Sequence, residues 1–137
     1  MILLDEPLSS LDVSVQAQIL NLLRHLKEAF GLTYLLISHD LETVYNIADR
    51  LAVIYAGRII EEIDDINLFE SMEHPYTALL LGKDIPVGAC EEQLSYISEK
   101  GCVYAGRCPY AEQLCFDEVP ALTNIKRGHR IACHRRR

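Results

Sequence analysis

Apolar positions along this chain follow two different rhythms. From Val13 to Phe30 the residues Val15, Ile19, Leu22, Leu23, Leu26 and Phe30 recur three and four apart, which gathers them into one buried stripe on a helix. Asp12 stands before that run as a capping residue, and Gly31 follows it where a helix ends in a left-handed turn. On either side lie short continuous apolar runs, Ile2 to Leu4 and Thr33 to Ile37, of a length suited to buried strands. A strand, a helix-length crossover and a second strand imply parallel pairing and an α/β fold.

Further along, Leu41, Val44, Tyr45 and Ala48 predict a short helix over 41–48. Leu51 to Tyr55 and Arg58 to Ile63 read as two strands joined by an Ala56-Gly57 turn, a hairpin signal. Asp64 and Asp65 precede a helical turn from Ile66 to Phe69, and His74 to Leu80 predicts another helix with Pro75 in its first turn. Periodicity fades from Gly82 to Ile97, where Pro86 and Gly88 act as breakers and Glu91-Glu92 is expected to be exposed. We place a domain boundary near Lys83, giving segments 1–82 and 83–137. The second segment has few long apolar runs, so hydrophobic burial alone would hardly fold it and a chemical staple is expected.

Composition adds limits. The 137 residues carry a net charge of −7, which argues against nucleic acid as the main partner. The basic end (Lys126, Arg127, Arg130, Arg135, Arg136, Arg137) reads as a solvated tail. No run approaches the ~20 apolar residues that a membrane span requires. The opening residues also lack the layout of a secretory signal, so a cytosolic chain is expected. In that compartment the five cysteines are expected to be reduced. Metal ligation is then the first reading to consider.

Chemistry concentrates at the first strand's end. Ile2-Leu3-Leu4 runs directly into the carboxylates Asp5 and Glu6, and Pro7 then forbids a ladder hydrogen bond. An open α/β sheet binds its ligands at that carboxyl edge. A lone Asp-Glu pair is usually a plain acidic turn, but here Ser10-Leu11-Asp12 follows at once and the second strand ends in Ser38-His39-Asp40. Asp-Glu-Pro, Ser-x-Leu-Asp and a strand-terminal Ser-His-Asp, in this order, resemble the second half of an ATP-binding cassette ATPase, a P-loop NTPase.

The resemblance implies that Asp5 is the Walker B aspartate that holds Mg²⁺ through water. Glu6 matches the catalytic glutamate that polarises the attacking water, and His39 the switch histidine that reaches the γ-phosphate. Ser10 to Asp12 match the D-loop, so Ser10 and Asp12 would meet the second ATPase subunit across a dimer interface. Asp12 as a simple helix cap is compatible with that role. His25 and His74 lack such company and read as surface or packing residues. The phosphate loop, the glutamine loop and the Leu-Ser-Gly-Gly-Gln signature are absent from the 137 residues: no Gly-Lys is followed by Ser or Thr, and Gly82-Lys83 is followed by Asp84. Backbone amides and a lysine supply most of the grip on a triphosphate, so this chain alone is expected not to turn over ATP.

Cys102, Cys108, Cys115 and Cys133 are separated by five, six and seventeen residues. Structural zinc sites commonly use close cysteine pairs, which are lacking here; four thiolates suit zinc or an iron–sulfur cluster, and spacing leaves cluster, zinc and no metal all open. Cys90 stands outside the pattern as a free thiol. The cysteine segment, with His74-Pro75-Tyr76-Thr77-Ala78-Leu79-Leu80 before it, is similar to the C-terminal extension of dipeptide and oligopeptide importer ATPases. That resemblance implies a 4Fe-4S cluster on the four cysteines, with zinc as the alternative. It further implies an energy-coupling subunit at the cytoplasmic face of the inner membrane, bound peripherally to permease subunits and paired with a second ATPase subunit, identical or not. An extracytoplasmic binding protein would feed such a permease.

The expected architecture is therefore a partial α/β nucleotide-binding domain over 1–82 and a small irregular cysteine-rich extension over 83–137. Two rival readings remain: a freestanding metal-binding or interaction module without ATPase activity, and a soluble cassette ATPase that does not transport.

Overall fold

The computed structural model describes residues 1–86 and 100–136. Cys90, Glu91-Glu92, most of the expected linker and Arg137 lie outside the described residues. The chain divides into two compact units, residues 1–49 and 50–137.

In the first unit, β1 (Ile2–Asp5) pairs in parallel with β2 (Tyr34–Ile37), in a register that sets Asp5 opposite Ile37. The crossover between them is α1 (Val13–Phe30), and α2 (Leu41–Ile47) follows β2. Both ends of α1 are chemically marked. The Asp12 carboxylate accepts the Val15 amide at 3.0 Å, and Gly31 closes the helix at φ 60°, a conformation that costs glycine nothing. The Lys27–Asp49 ion pair (2.6 Å) and a bond from the Arg24 guanidinium to the Asn46 carbonyl join α1 to the end of α2.

The expected burial does not appear in this unit. No residue of α1 is buried: Leu22 is 51% and Phe30 71% exposed. Ile2, Leu3, Leu35 and Ile37 on the two strands are exposed as well. A two-stranded sheet with one crossover helix has too few layers to cover an apolar stripe and both sheet faces. Its buried residues are Leu8, Thr43, Val44 and Ile47.

The second unit is built on an antiparallel sheet ordered β3-β4-β6-β5, with β3 (Leu51–Tyr55), β4 (Arg58–Ile63), β5 (Thr123–Lys126) and β6 (His129–Ile131). Ala56 (φ 46°) and Gly57 (φ 77°) are both left-handed, the two-residue turn that suits the twist of a hairpin. A 3₁₀ turn (Ile66–Ser71) and α3 (Pro75–Leu80) follow β4. The later segment carries a second 3₁₀ turn (Ala105–Arg107), α4 (Gln113–Asp117) and the β5–β6 hairpin. It is therefore less irregular than expected, because β6 hydrogen-bonds along β4 and borrows order from that strand. Strands from either side of Lys83 share this sheet.

Two side-chain clusters fill the unit. Val53, Ile60, Ile63, Met72 and Val103 form one, and Cys102, Tyr104, Ala105 and Cys115 the other. Gly101 is needed between the two cysteine-bearing segments: a Cβ there would lie 2.4 Å from the Cys115 carbonyl oxygen. That close approach lets the Cys102 amide donate to the Cys115 carbonyl at 2.7 Å. Among the described residues, no helix is long and apolar enough to cross a membrane.

Candidate functional site

The parallel pairing of β1 with β2 carries Asp5 and Glu6 to the same sheet edge as Ser38 and His39. The Glu6 amide donates to the Ile37 carbonyl at 2.9 Å, which extends the ladder one residue past the strand. Glu6 then turns left-handed (φ 46°), an uncommon state for a side chain of its size, and Pro7 leads the chain off the sheet. The Glu6 carbonyl accepts from the Ser9 amide (3.3 Å) and hydroxyl (3.1 Å), closing a tight loop beneath the carboxylate. Gln16 fastens the same loop by donating its side-chain amide to the Leu8 and Leu11 carbonyls at 3.0 and 3.1 Å.

Across the strands, His39 Nδ1–H donates to the Glu6 carboxylate, 2.9 Å from each oxygen. This contact, and then the Coulomb attraction of the same carboxylate, raise the His39 pKa. The imidazole is 79% exposed, so the pair is open to solvent and to a ligand. Asp40 caps α2 by accepting from the Glu42 amide at 3.1 Å. Asp5 is exposed beside the pair. Asp12 is committed to the helix: Ser14 Oγ donates to it at 2.7 Å, and that bond first, then the Val15 amide, lowers its pKa. Ser10 is exposed on the loop.

The second constellation is confined to the 50–137 unit. Cys102, Cys108, Cys115 and Cys133 all line one cavity, together with His74, Tyr104, Arg135 and others, whose empty space is about 320 Å³ with open solvent included. Burial pushes the thiols of Cys102, Cys108 and Cys133 up, Cys108 to about 11, and neighbouring cysteines of the set add to each rise. The four are free thiols. As they stand, however, no group of three or more His, Cys, Asp or Glu among the described residues closes to metal-holding geometry. Convergence on one cavity and the softness of four sulfurs fit a thiolate-ligated centre in chemistry, while ligand distances are not met.

A third arrangement was not anticipated. Glu61 on β4 is 0% exposed, and its carboxylate accepts from the Glu73 amide (2.7 Å), the His74 amide (3.1 Å) and His129 Nε2–H (2.8 Å). His74, read from the sequence as a surface or packing residue, is 1% exposed and caps α3: its Nδ1 accepts from the Tyr76 amide at 3.1 Å. Burial lowers its pKa to about 4, against the pull of Glu61. The Tyr104 ring lies 5.8 Å from the imidazole, and Tyr55 meets Tyr76 and Tyr104 edge-on with ring centroids 4.7 and 5.2 Å apart. His25 is exposed. The only sequence signal for this arrangement was a glutamate inside an apolar strand.

Residues 60–115 match the family model described as oligopeptide/dipeptide transporter, C-terminal region. The chain is similar to an oligopeptide transport ATP-binding protein of Bacillus subtilis, at 40% identity over 98% of this chain and 44% of the relative. It is 43% identical to a putative peptide import ATP-binding protein of Brucella ovis, over 98% of this chain and 45% of the relative. It is 37% identical to an oligopeptide transport ATP-binding protein of Haemophilus influenzae, over 97% of this chain and 44% of the relative. The chain thus spans less than half the length of these curated relatives.

Proposed function

We propose, from its similarity to oligopeptide and peptide import ATP-binding proteins, that this chain is the part of an energy-coupling ATPase that carries the hydrolytic residues. The observation that carries the reading is the Glu6–His39 contact, which joins residues 33 apart in sequence at the carboxyl ends of paired parallel strands. Asp5 and Glu6 offer hard oxygen donors suited to Mg²⁺ and its waters. In this reading Asp5 holds the hydrated cation, which would neutralise charge on the phosphates. Glu6 would orient and polarise the attacking water as general base, and His39, which holds the Glu6 carboxylate through Nδ1, would have its other ring nitrogen left for the γ-phosphate. Ser10 and Asp12 lie on the exposed loop that would meet a second ATPase subunit, identical or not.

No residue of this chain supplies the phosphate loop, so the grip on ATP must come from a segment outside these 137 residues. The proposed setting is the cytoplasmic face of the inner membrane, where the assembled ATPase pair drives peptide uptake through permease subunits. Fusing the chain to the N-terminal part of one of its relatives and measuring Mg-ATP hydrolysis tests the reading. The fusion should hydrolyse ATP, and Glu6→Gln should lower the rate by about 10²–10⁴. A fusion that hydrolyses ATP as well with Glu6→Gln as without it removes Glu6 from the mechanism. The chain by itself should show no Mg-ATP-dependent shift in melting temperature.

We also infer a thiolate-ligated centre on Cys102, Cys108, Cys115 and Cys133, preferentially a 4Fe-4S cluster, with zinc as the alternative. The shared cavity supports it. A bound centre would cross-link the segments holding the four residues, the staple that a segment with so small an apolar core calls for. Iron, acid-labile sulfide and zinc per chain after anaerobic preparation decide between cluster, zinc and neither.

A further inference from the structure

The loop that leads Glu6 off the sheet is made of two successive turns. The Ser9 amide donates back to the Glu6 carbonyl at 3.3 Å, and the Leu11 amide to the Leu8 carbonyl at 3.1 Å. Bonds this local do little to hold a loop against water. Yet Glu6 keeps φ 46°, a strained state that persists only where its surroundings enforce it. Gln16, one turn into α1, supplies a tie from outside the loop. Its Nε2 donates to the Leu8 carbonyl at 3.0 Å and to the Leu11 carbonyl at 3.1 Å. A carbonyl can only accept, so both hydrogens of the Gln16 amide are committed to the loop and its orientation is fixed. Leu8, the residue between the two turns, is buried at 5% exposure.

The helix that carries Gln16 is itself fastened to the side of the unit that bears His39. The Tyr34 hydroxyl of β2 donates to the Leu23 carbonyl at 3.1 Å, Lys27 pairs with Asp49 at 2.6 Å, and the Arg24 guanidinium bonds the Asn46 carbonyl at the end of α2. Asp40, next to His39, caps α2. His39 therefore precedes an element braced on α1, and Glu6 opens a loop braced on the same helix through Gln16. The 2.9 Å contact between Glu6 and His39 joins two arms with one support.

We propose that Gln16 is a positioning residue for ATP hydrolysis: by clamping the Leu8 and Leu11 carbonyls it holds the Glu6 carboxylate at the sheet edge, against His39 and in place for the attacking water. The proposal rests on the reading of Glu6 as the general base. Gln16 acts on the carbonyls of the loop and not on the nucleotide, so its whole effect on the reaction passes through Glu6. Loosening the clamp lets the carboxylate wander, and a displacement of about 1 Å at a reacting group can cost about 10²-fold in rate.

Gln16→Met keeps the length and neutrality of the side chain but removes both donors, and Gln18→Met, at an exposed position of the same helix, controls for the substitution itself. In the full chain, amide exchange read by NMR should be roughly tenfold faster at Ser9 and Leu11 in Gln16→Met, with the middle of α1 unchanged and Gln18→Met like wild type. In the chain fused to the N-terminal part of a relative, Gln16→Met should lower kcat by roughly 10- to 100-fold and leave KM for ATP within about twofold. Gln16→Lys, whose ammonium can donate to both carbonyls, should keep kcat within about threefold of wild type. On a Glu6→Gln background, Gln16→Met should change the residual rate by less than about twofold, because nothing is left to position. Unchanged exchange or kcat in Gln16→Met, Gln16→Lys as slow as Gln16→Met, or an equal loss with and without Glu6 overturns the proposal while leaving Glu6 in its role. A wild-type fusion that hydrolyses no ATP, or whose rate does not depend on Glu6, overturns the reading of Glu6 and the proposal with it.

Discussion

Truncating Glu61 to alanine removes the one acceptor shared by three donors: the Glu73 amide, the His74 amide and His129 Nε2–H. Glu61 and His129 are both 0% exposed, so water cannot replace the lost carboxylate without a rearrangement of the sheet. Breaking a buried hydrogen-bonded pair by deleting one partner typically costs about 3–5 kcal/mol, and each stranded donor about 1–3 kcal/mol. These terms overlap, so we expect Glu61→Ala to destabilise the 50–137 unit by about 4 kcal/mol. For a unit of this size that is a drop in melting temperature of roughly 15–30 °C. Glu61→Gln should cost less, about 2 kcal/mol, because its carbonyl still accepts while its amide opposes a donor. The protein has no tryptophan, and Tyr55, Tyr76 and Tyr104 cluster in this unit, so near-ultraviolet circular dichroism of tyrosine follows its unfolding. A Glu61→Ala protein with the wild-type midpoint would refute the account of Glu61 as the acceptor that ties β4 to β6 and to the start of α3.

Other consequences are open to simpler tests. Glu6→Gln should lower the His39 pKa toward its ordinary value, as read from the imidazole resonances, because the Glu6 carboxylate is the main cause of its rise; an unchanged pKa would mean the contact is not populated. His74 titrates near 4 when folded against an ordinary value of 6.5, so the unfolded chain binds the proton first and stability falls as pH drops from 6.5 toward 4. That shift corresponds to about 3 kcal/mol at most, and His74→Asn should flatten this part of the urea midpoint–pH profile. Gly101→Ala would place a Cβ 2.4 Å from the Cys115 carbonyl and 2.6 Å from that of Phe116, backbone atoms that cannot step aside. It should destabilise the 50–137 unit by ~3 kcal/mol, measured by tyrosine dichroism, and an alanine accommodated without loss would mean the two segments can separate freely.

The elements that the sequence made legible are those with a repeated pattern or a punctuating residue. Val13–Phe30 is readable at both ends because Asp12 and Gly31 bracket a long 3.6-residue period. The β3–β4 turn is readable because Ala56-Gly57 interrupts two aliphatic runs. By contrast, Thr123-Asn-Ile-Lys126 and His129-Arg-Ile131 are too short and too polar to alternate, and they are strands because β4 offers them a ladder. Arg127-Gly128 was the available hint, since Gly128 turns at φ 73°. Burial on α1 was over-read: an apolar stripe says what a helix can cover, and the described unit gives it nothing to cover. His74 was under-read, because its neighbours Glu61 and Tyr104 are distant in sequence.

The sheet order also bears on how the cysteine-bearing segment relates to the strands before Lys83. β6 lies between β4 and β5, with Glu61 opposite Ile131 and Ile63 opposite His129. Glu61 bonds diagonally to His129 on that face, while its other two donors are the amides of Glu73 and of His74, the residue that caps α3 and borders the cysteine cavity. Any event at the cavity that moves His74 or Cys133 therefore pulls on the hydrogen-bonded interior of the sheet, not on a dangling appendage. A change in β4 is transmitted the other way by the same bonds. The cysteines and the β3–β4 hairpin should consequently unfold together, with loss of the cavity and loss of the Glu61 contacts as one cooperative event.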